Sequence, residues 1–204
     1  MNDNTPDVRK TANDMAEYEI HPFSPFIPAD ARVLIMGTFP PPAARHSMNF
    51  YYPNRTNDFW RIMGIIFFND PTALMAPNGK DFNLDAIKRL LEEKGIAMSD
   101  TGYRIHRLRG NASDKFLEIV DPVDLQSLLK RMSGLKAIIT TGEKAADVVA
   151  RLTDTLPPKM GQFTEIDSNI RHWRMPSTSR AYPLTISKKA EFYSLPFRVA
   201  GLID

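Results

Sequence analysis

The sequence predicts an α/β fold, a three-layer α/β/α sandwich around a central, mainly parallel four-stranded sheet. Two observations predict it. Short apolar runs end in glycine or polar residues, which is typical of strands buried on both faces of a parallel sheet. Amphipathic helical patterns alternate with these runs, which is the order found in layered α/β proteins. At 204 residues one domain is expected, because two domains would each have a small core.

The amino-acid composition limits the classes of function that are possible for this protein. Hydrophobic residues make up 43% and charged residues 25%, as in ordinary globular proteins. The formal net charge of +2 is too small to indicate nucleic-acid binding, so such a site would have to be a local basic patch. The chain has no cysteine, which excludes disulfides, thiolate nucleophiles, zinc ribbons and iron–sulfur clusters.

The first twenty residues lack the apolar core of a signal peptide, and no run of about 18 apolar residues occurs anywhere. The absence of cysteine also agrees with a reducing cytoplasm. We therefore expect a cytoplasmic protein with no membrane partner. Residues 1–18 are polar and carry no convincing pattern. We expect a flexible N-terminal arm there and a single α/β domain over residues 19–204.

The first strand is expected at Arg32–Gly37, where the run RVLIMG is apolar and ends in glycine. The following TFPPPAARHS cannot form a regular element, because its consecutive prolines fix the backbone and lack N–H donors. A helix is predicted over Asn57–Phe68, which has helical length and an apolar stripe. Asn57 is its expected N-cap, and Asp58 lies in the first turn.

The middle of the chain continues the alternation of predicted strands and helices. Asn83–Gly95 is an amphipathic helix that ends at a glycine, and Ile96–Asp100 is the second strand. The segment YRIHRLRGNASDK is predicted to be a polar, basic loop. A helix over DPVDLQSLLKRM follows, with Asp121 as its N-cap and Pro122 at its first helical position.

The last third of the chain supplies two more strands. Leu135–Gly142 is the third strand, and the helix EKAADVVARLTD follows it. HWRMPSTS contains a fourth short strand that ends at Pro176. The final helix, ISKKAEFYSLPFRVAGLI, is interrupted near Pro196. No internal repeat or linker divides the chain.

The expected ligand site follows from this pattern, because parallel α/β sheets bind ligands at the carboxyl ends of their strands. The four strand ends read GTFPPP, SDTGY, TTGEK and PSTSR, and we expect them to face one crevice. The stretch NFYYPNRTNDFW, residues 49–60, would join them. It combines five aromatic residues with three asparagines, which is typical of a pocket that stacks and hydrogen-bonds a flat, polar ring.

These segments resemble a known family. The runs VLIMGTFPPP and FYYPNRTNDFWRIMG, together with RMPSTSRAY, are similar to the uracil-DNA glycosylase superfamily, in particular to its mismatch-specific and hypoxanthine-DNA glycosylase-like branch. That branch carries Gly-Ser-x-Pro-Gly, then Tyr-Tyr…Arg-x-Asn-x-Phe-Trp, and a second motif similar to Leu-Pro-Ser-Thr-Ser. TTGEKAADVV also resembles the family's glycine-lysine-alanine helix start. The similarity covers about residues 20–200. The matching residues are Gly37, Thr38, Pro40, Tyr51, Tyr52, Arg55, Asn57, Phe59, Trp60 and Met175–Ser179.

Three positions depart from the branch. Pro41 stands where the branch usually has glycine, and Thr38 where it often has serine or asparagine. Arg180 follows the second motif, where relatives often have proline or leucine. We expect these changes to affect the choice of substrate more than the type of reaction. The lack of cysteine excludes the iron–sulfur branches of the superfamily.

The resemblance implies a uracil-DNA glycosylase-like fold and a monofunctional DNA repair hydrolase of base excision repair. Such an enzyme flips a deaminated base, uracil or hypoxanthine, out of DNA and hydrolyses its N-glycosidic bond with water. It needs no metal and no cofactor, and its partner is DNA that contains a damaged base. We expect a monomer. The implied base pocket consists of Gly37, Thr38, Phe39, Pro40, Tyr51 and Tyr52.

The resemblance points to Asn57 as the catalytic residue. An asparagine amide does not act as a general base, but its carbonyl can hold and orient the attacking water. The alternative is an N-cap for the following helix, and both roles can hold at once.

The second motif is the expected DNA-binding loop, made of Pro176, Ser177, Thr178, Ser179 and Arg180. Its hydroxyl and amide groups suit the phosphates on either side of the extruded nucleotide. Arg180 or Tyr182 could wedge into the vacated stack. The alternative is an ordinary turn whose serines cap the next element.

Other polar groups leave alternatives open. Arg104, His106, Arg107 and Arg109 form either a patch for the DNA backbone or a solvated face. Asp100 could polarise a water molecule or pair with an arginine. The histidines lack metal-ligand spacing, and no nucleophile elbow, P-loop or dinucleotide fingerprint occurs. Two alternatives to the glycosylase therefore remain, a non-catalytic DNA-binding module on the same fold and a small nucleoside hydrolase.

Overall fold

The computed structural model describes residues 18–108 and 114–204. The flexible arm is predicted over residues 1–18, and all of it except Tyr18, which begins a strand, lies outside the described residues. The strands are β1 (Tyr18–Ile20), β2 (Val33–Gly37), β3 (Ile96–Asp100), β4 (Gly102–Arg107), β5 (Leu117–Pro122), β6 (Ala137–Thr140), β7 (Phe163–Glu165) and β8 (Arg171–Arg174). The helices are α1 (Phe59–Phe68), α2 (Leu84–Lys94), α3 (Leu125–Lys130), α4 (Glu143–Leu152) and α5 (Ile186–Val199).

The main sheet has five strands in the order β3-β2-β6-β8-β7. Its four parallel strands, β3, β2, β6 and β8, are those that the sequence predicts. The prediction of a four-stranded sheet is nevertheless wrong, because β7 pairs antiparallel with β8 and makes the sheet five-stranded and mixed. β7 has only three residues and two of them are exposed, so no apolar run marks it in the sequence.

Helices cover both faces of the main sheet. Successive residues of a strand point to opposite faces. Val33 and Ile35 accordingly pack into a core with α1, α2 and α5, while Leu34 and Met36 pack into a second core with α3 and α4. Phe26 closes the outer edge of β3 through two backbone hydrogen bonds with Met98. This layered arrangement leaves the carboxyl ends of the parallel strands on one side of the molecule.

A second, three-stranded antiparallel sheet has the order β1-β4-β5. β4 lies where the sequence predicts a basic loop, so that prediction is wrong. Its charged side chains find acidic partners on the neighbouring strands, Arg104 with Asp121 and Arg107 with Glu19. Such cross-strand pairs stabilise a strand that has little apolar alternation. Arg109 lies outside the described residues.

The helix predicted to begin at Asp121 begins later. β5 continues to Pro122, and α3 starts at Leu125, with the Asp124 side chain accepting a hydrogen bond from the N–H of Ser127. Pro122 is tolerated because it ends a strand at the edge of its sheet, where no ladder donor is needed. Residues 18–108 and 114–204 contain no helix with the length and apolar character needed to cross a bilayer.

Candidate functional site

The loops that follow the four parallel strands line a partly open cleft of about 600 Å³. β2 contributes Gly37, β3 contributes Asp100, the loop after β6 contributes Thr141, and the loop after β8 contributes Ser177. The expected meeting of the four strand ends is therefore observed. The remaining lining residues include Thr38, Phe39, Pro40, Pro41, Arg45, Tyr52, Pro53, Asn54, Thr56, Asn57, Asp114, Lys115, Thr178, Ser179 and Ala181.

Three of the predicted site residues do not line this cleft. Tyr51 is 1% exposed, donates from its hydroxyl to the carbonyl of Ser24 at 3.2 Å, and packs in the core. Burial raises the pKa of its phenol. The Pro176 carbonyl accepts from the Tyr193 hydroxyl at 2.9 Å, and this proline lines a neighbouring groove. Arg180 forms an ion pair with Asp58 at 3.2 Å.

Tyr52 turns into the cleft because its backbone is left-handed. Its φ is 51°, a conformation that bulky residues seldom adopt. Its ring stacks on that of Phe59 with centroids 3.9 Å apart, and its hydroxyl hydrogen-bonds the Thr141 hydroxyl at 2.9 Å. Burial, followed by the nearby charge of Asp100, raises the pKa of Tyr52 well above its usual range. Tyr52 is therefore a neutral polar ring on a rigid support.

Asp100 is a buried carboxylate at the end of β3, and sequence reasoning missed its partner. Oδ2 accepts from Nε2 of His21 at 2.9 Å, and Oδ1 accepts from the N–H of Gly37 at 3.1 Å. A Cβ on Gly37 would lie 2.6 Å from Oδ1 of Asp100 and 3.0 Å from the Tyr52 hydroxyl. Glycine is therefore required where β2 enters the cleft. His21 lies in an irregular segment, so no local pattern reveals the pairing.

Asn57 lies on the cleft wall, immediately before α1. The N-cap of α1 is Asp58, so the predicted cap at Asn57 is one residue early. Asn57 nevertheless makes a cap-like bond, because its Oδ1 accepts from the N–H of Phe59 at 2.9 Å. Its backbone also forms an antiparallel bridge with Ser179. The side-chain carbonyl is thus held in place at the junction of two loops.

A buried ion pair lies behind this wall, and sequence reasoning missed it as well. Asp58 is 7% exposed and Lys189 is 0% exposed, with Lys189 Nζ 3.0 Å from Asp58 Oδ2. The same ammonium donates to the carbonyl of Ser179 at 2.8 Å. A lysine in the amphipathic pattern of the last helix would normally be placed on its solvated face, which is why the sequence gives no sign of this role.

The far side of the cleft contains a second carboxyl group. Thr38 donates from its hydroxyl to Oδ2 of Asp114 at 3.0 Å. Desolvation is the largest influence on this carboxyl group and raises its pKa, although Asp114 as a residue is exposed. Lys144 donates to the Asp114 carbonyl at 2.9 Å, which anchors this rim. Among the described residues, no group of three or more His, Asp or Glu side chains is arranged to hold a metal ion.

Two depressions adjoin the cleft. One is a groove of about 810 Å³ that is lined by both acidic and basic side chains, including an ion pair between Arg174 and Glu143 at 3.2 Å. The other, which we call the basic hollow, has a volume of about 510 Å³. Its lining residues are Ala44, Arg45, His46, Ser47, Asn54, Arg55 and Thr56. Arg45 lines both the basic hollow and the cleft.

Comparison with known proteins gives matches both in sequence and in fold. No protein-family model matches the chain. A hypoxanthine DNA glycosylase from Methanosarcina barkeri is 28% identical over 126 residues, which are 61% of this chain and 72% of that protein. A solution NMR structure from Methanosarcina acetivorans, provisionally described as a uracil DNA glycosylase, has a TM-score of 0.62 at 20% identity. That match covers 89% of this chain and 98% of the other.

The two matches support each other, since one is a likeness of sequence and the other a likeness of fold. The match to the NMR structure extends over nearly the whole of both chains. The chain therefore resembles the uracil-DNA glycosylase superfamily in sequence and in fold, on the side of its hypoxanthine-DNA glycosylase-like branch, as its motifs predict.

Proposed function

We propose that this protein is a monofunctional DNA glycosylase of base excision repair. It hydrolyses the N-glycosidic bond of a deaminated base, uracil or hypoxanthine, that is flipped out of DNA. The observation that supports this proposal most is the cleft of about 600 Å³ in which Asn57 meets the loops after β2 and β8. Pockets for small ligands measure about 300–1,000 Å³, so a single base fits. The hypoxanthine DNA glycosylase relative supports the same reaction class.

The cleft has the groups that an extruded base needs. Extrusion costs about a few kcal/mol, which contacts in the pocket must offset. Phe39 and Tyr52 supply aromatic rings. Asp100 supplies a buried acceptor, and both uracil and hypoxanthine present a ring N–H that an acceptor can bind. In this proposal, Tyr52 takes the role that the sequence assigned jointly to Tyr51 and Tyr52.

The water nucleophile is assigned to Asn57. Its Oδ1 already accepts from the Phe59 N–H, which fixes the carbonyl and leaves a second lone pair for a water hydrogen. The amide only orients this water and takes no proton. The bond from C1′ to the base nitrogen breaks with its electron pair going to the base, and the water oxygen bonds to C1′. The water proton passes to solvent or to the departing base.

The negative charge that develops on the departing base must be stabilised by hydrogen-bond donors. Thr38 and Phe39 have backbone N–H groups in the first loop, whereas Pro40, Pro41 and Pro42 have none. One well-placed donor of this kind contributes about 10²–10³-fold in rate. The loop after β8 is assigned to the DNA backbone, together with Arg45 in the basic hollow.

The experiment is an excision assay with labelled oligonucleotides, single- and double-stranded. Each contains one uracil, hypoxanthine, xanthine or thymine mismatch, and alkali cleaves the abasic product. We expect the wild type to excise uracil or hypoxanthine, and Asn57→Ala to lose about 10²-fold or more in kcat, because the attacking water is no longer held in place. Asn169→Ala is the matched control, since Asn169 is exposed and does not line the cleft.

Each other outcome contradicts the proposal in a different way. DNA binding that depends on salt, without excision of any base, would indicate a non-catalytic DNA-binding module. Cleavage of free nucleosides without affinity for DNA would indicate a nucleoside hydrolase. Neither activity would mean that the chain shares the fold but not the function.

A further inference from the structure

Lys189 is a lysine whose side chain is completely buried. Its ammonium lies 3.0 Å from Oδ2 of Asp58 and 2.8 Å from the carbonyl oxygen of Ser179. Fully buried lysines are rare, because the charged group must give up its hydration and find partners inside the protein. Both partners here come from segments that line the cleft or adjoin it. The position of Lys189 therefore indicates a role beyond packing.

The two partners belong to the two loops that meet at Asn57. Asp58 follows Asn57 directly, and its N–H donates to the carbonyl of Thr178 at 2.9 Å. Asn57 itself bridges to Ser179. One ammonium group thus connects the start of α1 to the end of the 177–179 loop, at the point where the two backbones already touch.

Arg180 does not duplicate this connection. It contacts the other oxygen of Asp58, Oδ1, at 3.2 Å, and its side chain is 53% exposed. Arg180 can exchange Asp58 for solvent or for a phosphate, whereas the buried Lys189 cannot. Asp58 therefore keeps a cationic partner when Arg180 moves away.

We propose that Lys189 is a positioning residue for the glycosylase reaction, acting through Asp58 and Ser179. It fixes the separation between Asn57, which orients the water, and the 177–179 loop, which holds the DNA backbone. This inference rests on the proposed function. It assigns a role in the reaction to a buried side chain that touches neither the base nor the water.

The test uses Lys189→Met, Asp58→Asn and the double variant, in steady-state excision assays at a temperature at which each is folded. Lys188→Met is the matched control, because Lys188 is exposed and pairs with Glu191 on the surface. We expect Lys189→Met and Asp58→Asn each to lower kcat by about 10²-fold, since displacements of about 1 Å cost that much. KM for DNA should change by less than about threefold, and Lys188→Met should match the wild type.

The double variant separates positioning from stability. It removes both charges, so no uncompensated charge remains buried and the melting temperature should recover towards that of the wild type. Excision should stay low, because the bond from Lys189 to the Ser179 carbonyl is still missing. Recovery of kcat together with stability would overturn the proposal. So would failure of every variant to fold, since Lys189 would then serve folding alone.

Amide hydrogen exchange provides a readout that does not need activity. In Lys189→Met, the N–H of Asp58, which is bonded to Thr178, should exchange faster. The N–H of Ile62, which is bonded to the Asp58 carbonyl within α1, should not change. If the wild type excises no base, the proposed function fails, and the exchange data still decide whether Lys189 holds the loops together. Unchanged exchange at Asp58 overturns the inference in either case.

Discussion

His172 is a buried histidine whose protonation state is set by its neighbours. The Thr140 hydroxyl donates its hydrogen to the carbonyl of Trp173 at 2.9 Å, so it can only accept from His172. Nε2 of His172 therefore carries the hydrogen, and Nδ1 must take up any additional proton. Nδ1 is buried and has no hydrogen-bond partner in the described part of the chain. Desolvation accordingly lowers the pKa of His172 from 6.5 to about 4.

The lowered pKa of His172 predicts that the protein loses stability in acid. The unfolded chain binds a proton near pH 6.5 and the folded chain only near pH 4, so the free energy of unfolding falls as pH drops through that window. Because one pKa unit is worth about 1.4 kcal/mol, the loss attributable to His172 is about 3 kcal/mol. Urea denaturation between pH 7 and pH 4 measures it. His172→Gln, which keeps a donor for Thr140 but does not titrate, should lose less over that range, and an equal loss would contradict the assignment.

At the scale of single residues, the sequence predicts which residue types form the site better than it predicts where their side chains point. Tyr51 and Tyr52 are adjacent and match the same motif, yet one lies in the core and the other lines the cleft. The left-handed backbone at Tyr52 makes the difference, and no local pattern predicts a positive φ at a tyrosine. The pairing of Asp58 with Lys189 spans 131 positions, so it depends on tertiary structure.

The carboxyl ends of β2 and β3 act as one element of the site. Gly37 and Asp100 are paired in the register of the two parallel strands, and the Gly37 N–H donates to the Asp100 carboxylate. His21 holds the other oxygen of this carboxylate. The shape of the cleft floor therefore depends on strand register and on the absence of a side chain at Gly37.

Gly37→Ala should damage the cleft. Its Cβ would lie 2.6 Å from Oδ1 of Asp100, and this short, tethered carboxylate could move only by giving up its hydrogen bonds. We expect a loss of about 1–3 kcal/mol in stability, as overpacked sites show, and reduced excision. Gly134→Ala is the control, because its added Cβ meets only the Ala31 carbonyl oxygen at an ordinary 3.5 Å. Equal behaviour of the two variants in denaturation and excision assays would refute this view.

Elements with a strong apolar signal are predictable from this sequence, and polar ones are not. The four buried parallel strands and the glycine at the end of α2 follow from local pattern. β4 and β7 were missed because ion pairs or an edge position, rather than apolar alternation, stabilise them. The start of α3 was misplaced because Asp121 and Asp124 are both good N-cap residues, and only the pairing of β5 selects the second.

On the scale of the whole molecule, we expect the basic charge near the cleft to determine the affinity for DNA phosphates more than the net charge does. The formal net charge is only +2, yet the basic hollow places Arg45, His46 and Arg55 beside the cleft. Arg55 pairs with Asp81, and His46 donates to the Pro41 carbonyl at 2.7 Å. Arg45 forms no ion pair with any residue that the structure describes, so its charge is available to a phosphate.

Arg45→Ala should weaken DNA binding without changing the chemical step. Loss of one phosphate contact should make the plot of log K against log salt concentration less steep by about 1. Binding should weaken to a similar extent for damaged and undamaged DNA, while kcat at saturating DNA stays the same. Arg89→Ala on α2 removes the same charge from an exposed position outside the cleft. An equal effect of the two variants in a fluorescence anisotropy titration would argue against a phosphate contact at Arg45.

The edges of the main sheet have a further consequence for solubility. Open strand edges can add a strand from another copy and so start aggregation. Here one edge is the three-residue β7, and the other edge, on β3, is bridged by Phe26. Neither leaves a long row of free backbone groups in the described residues. Both edges of the main sheet are thus protected against pairing with another copy, while the carboxyl ends of its parallel strands remain open to the cleft.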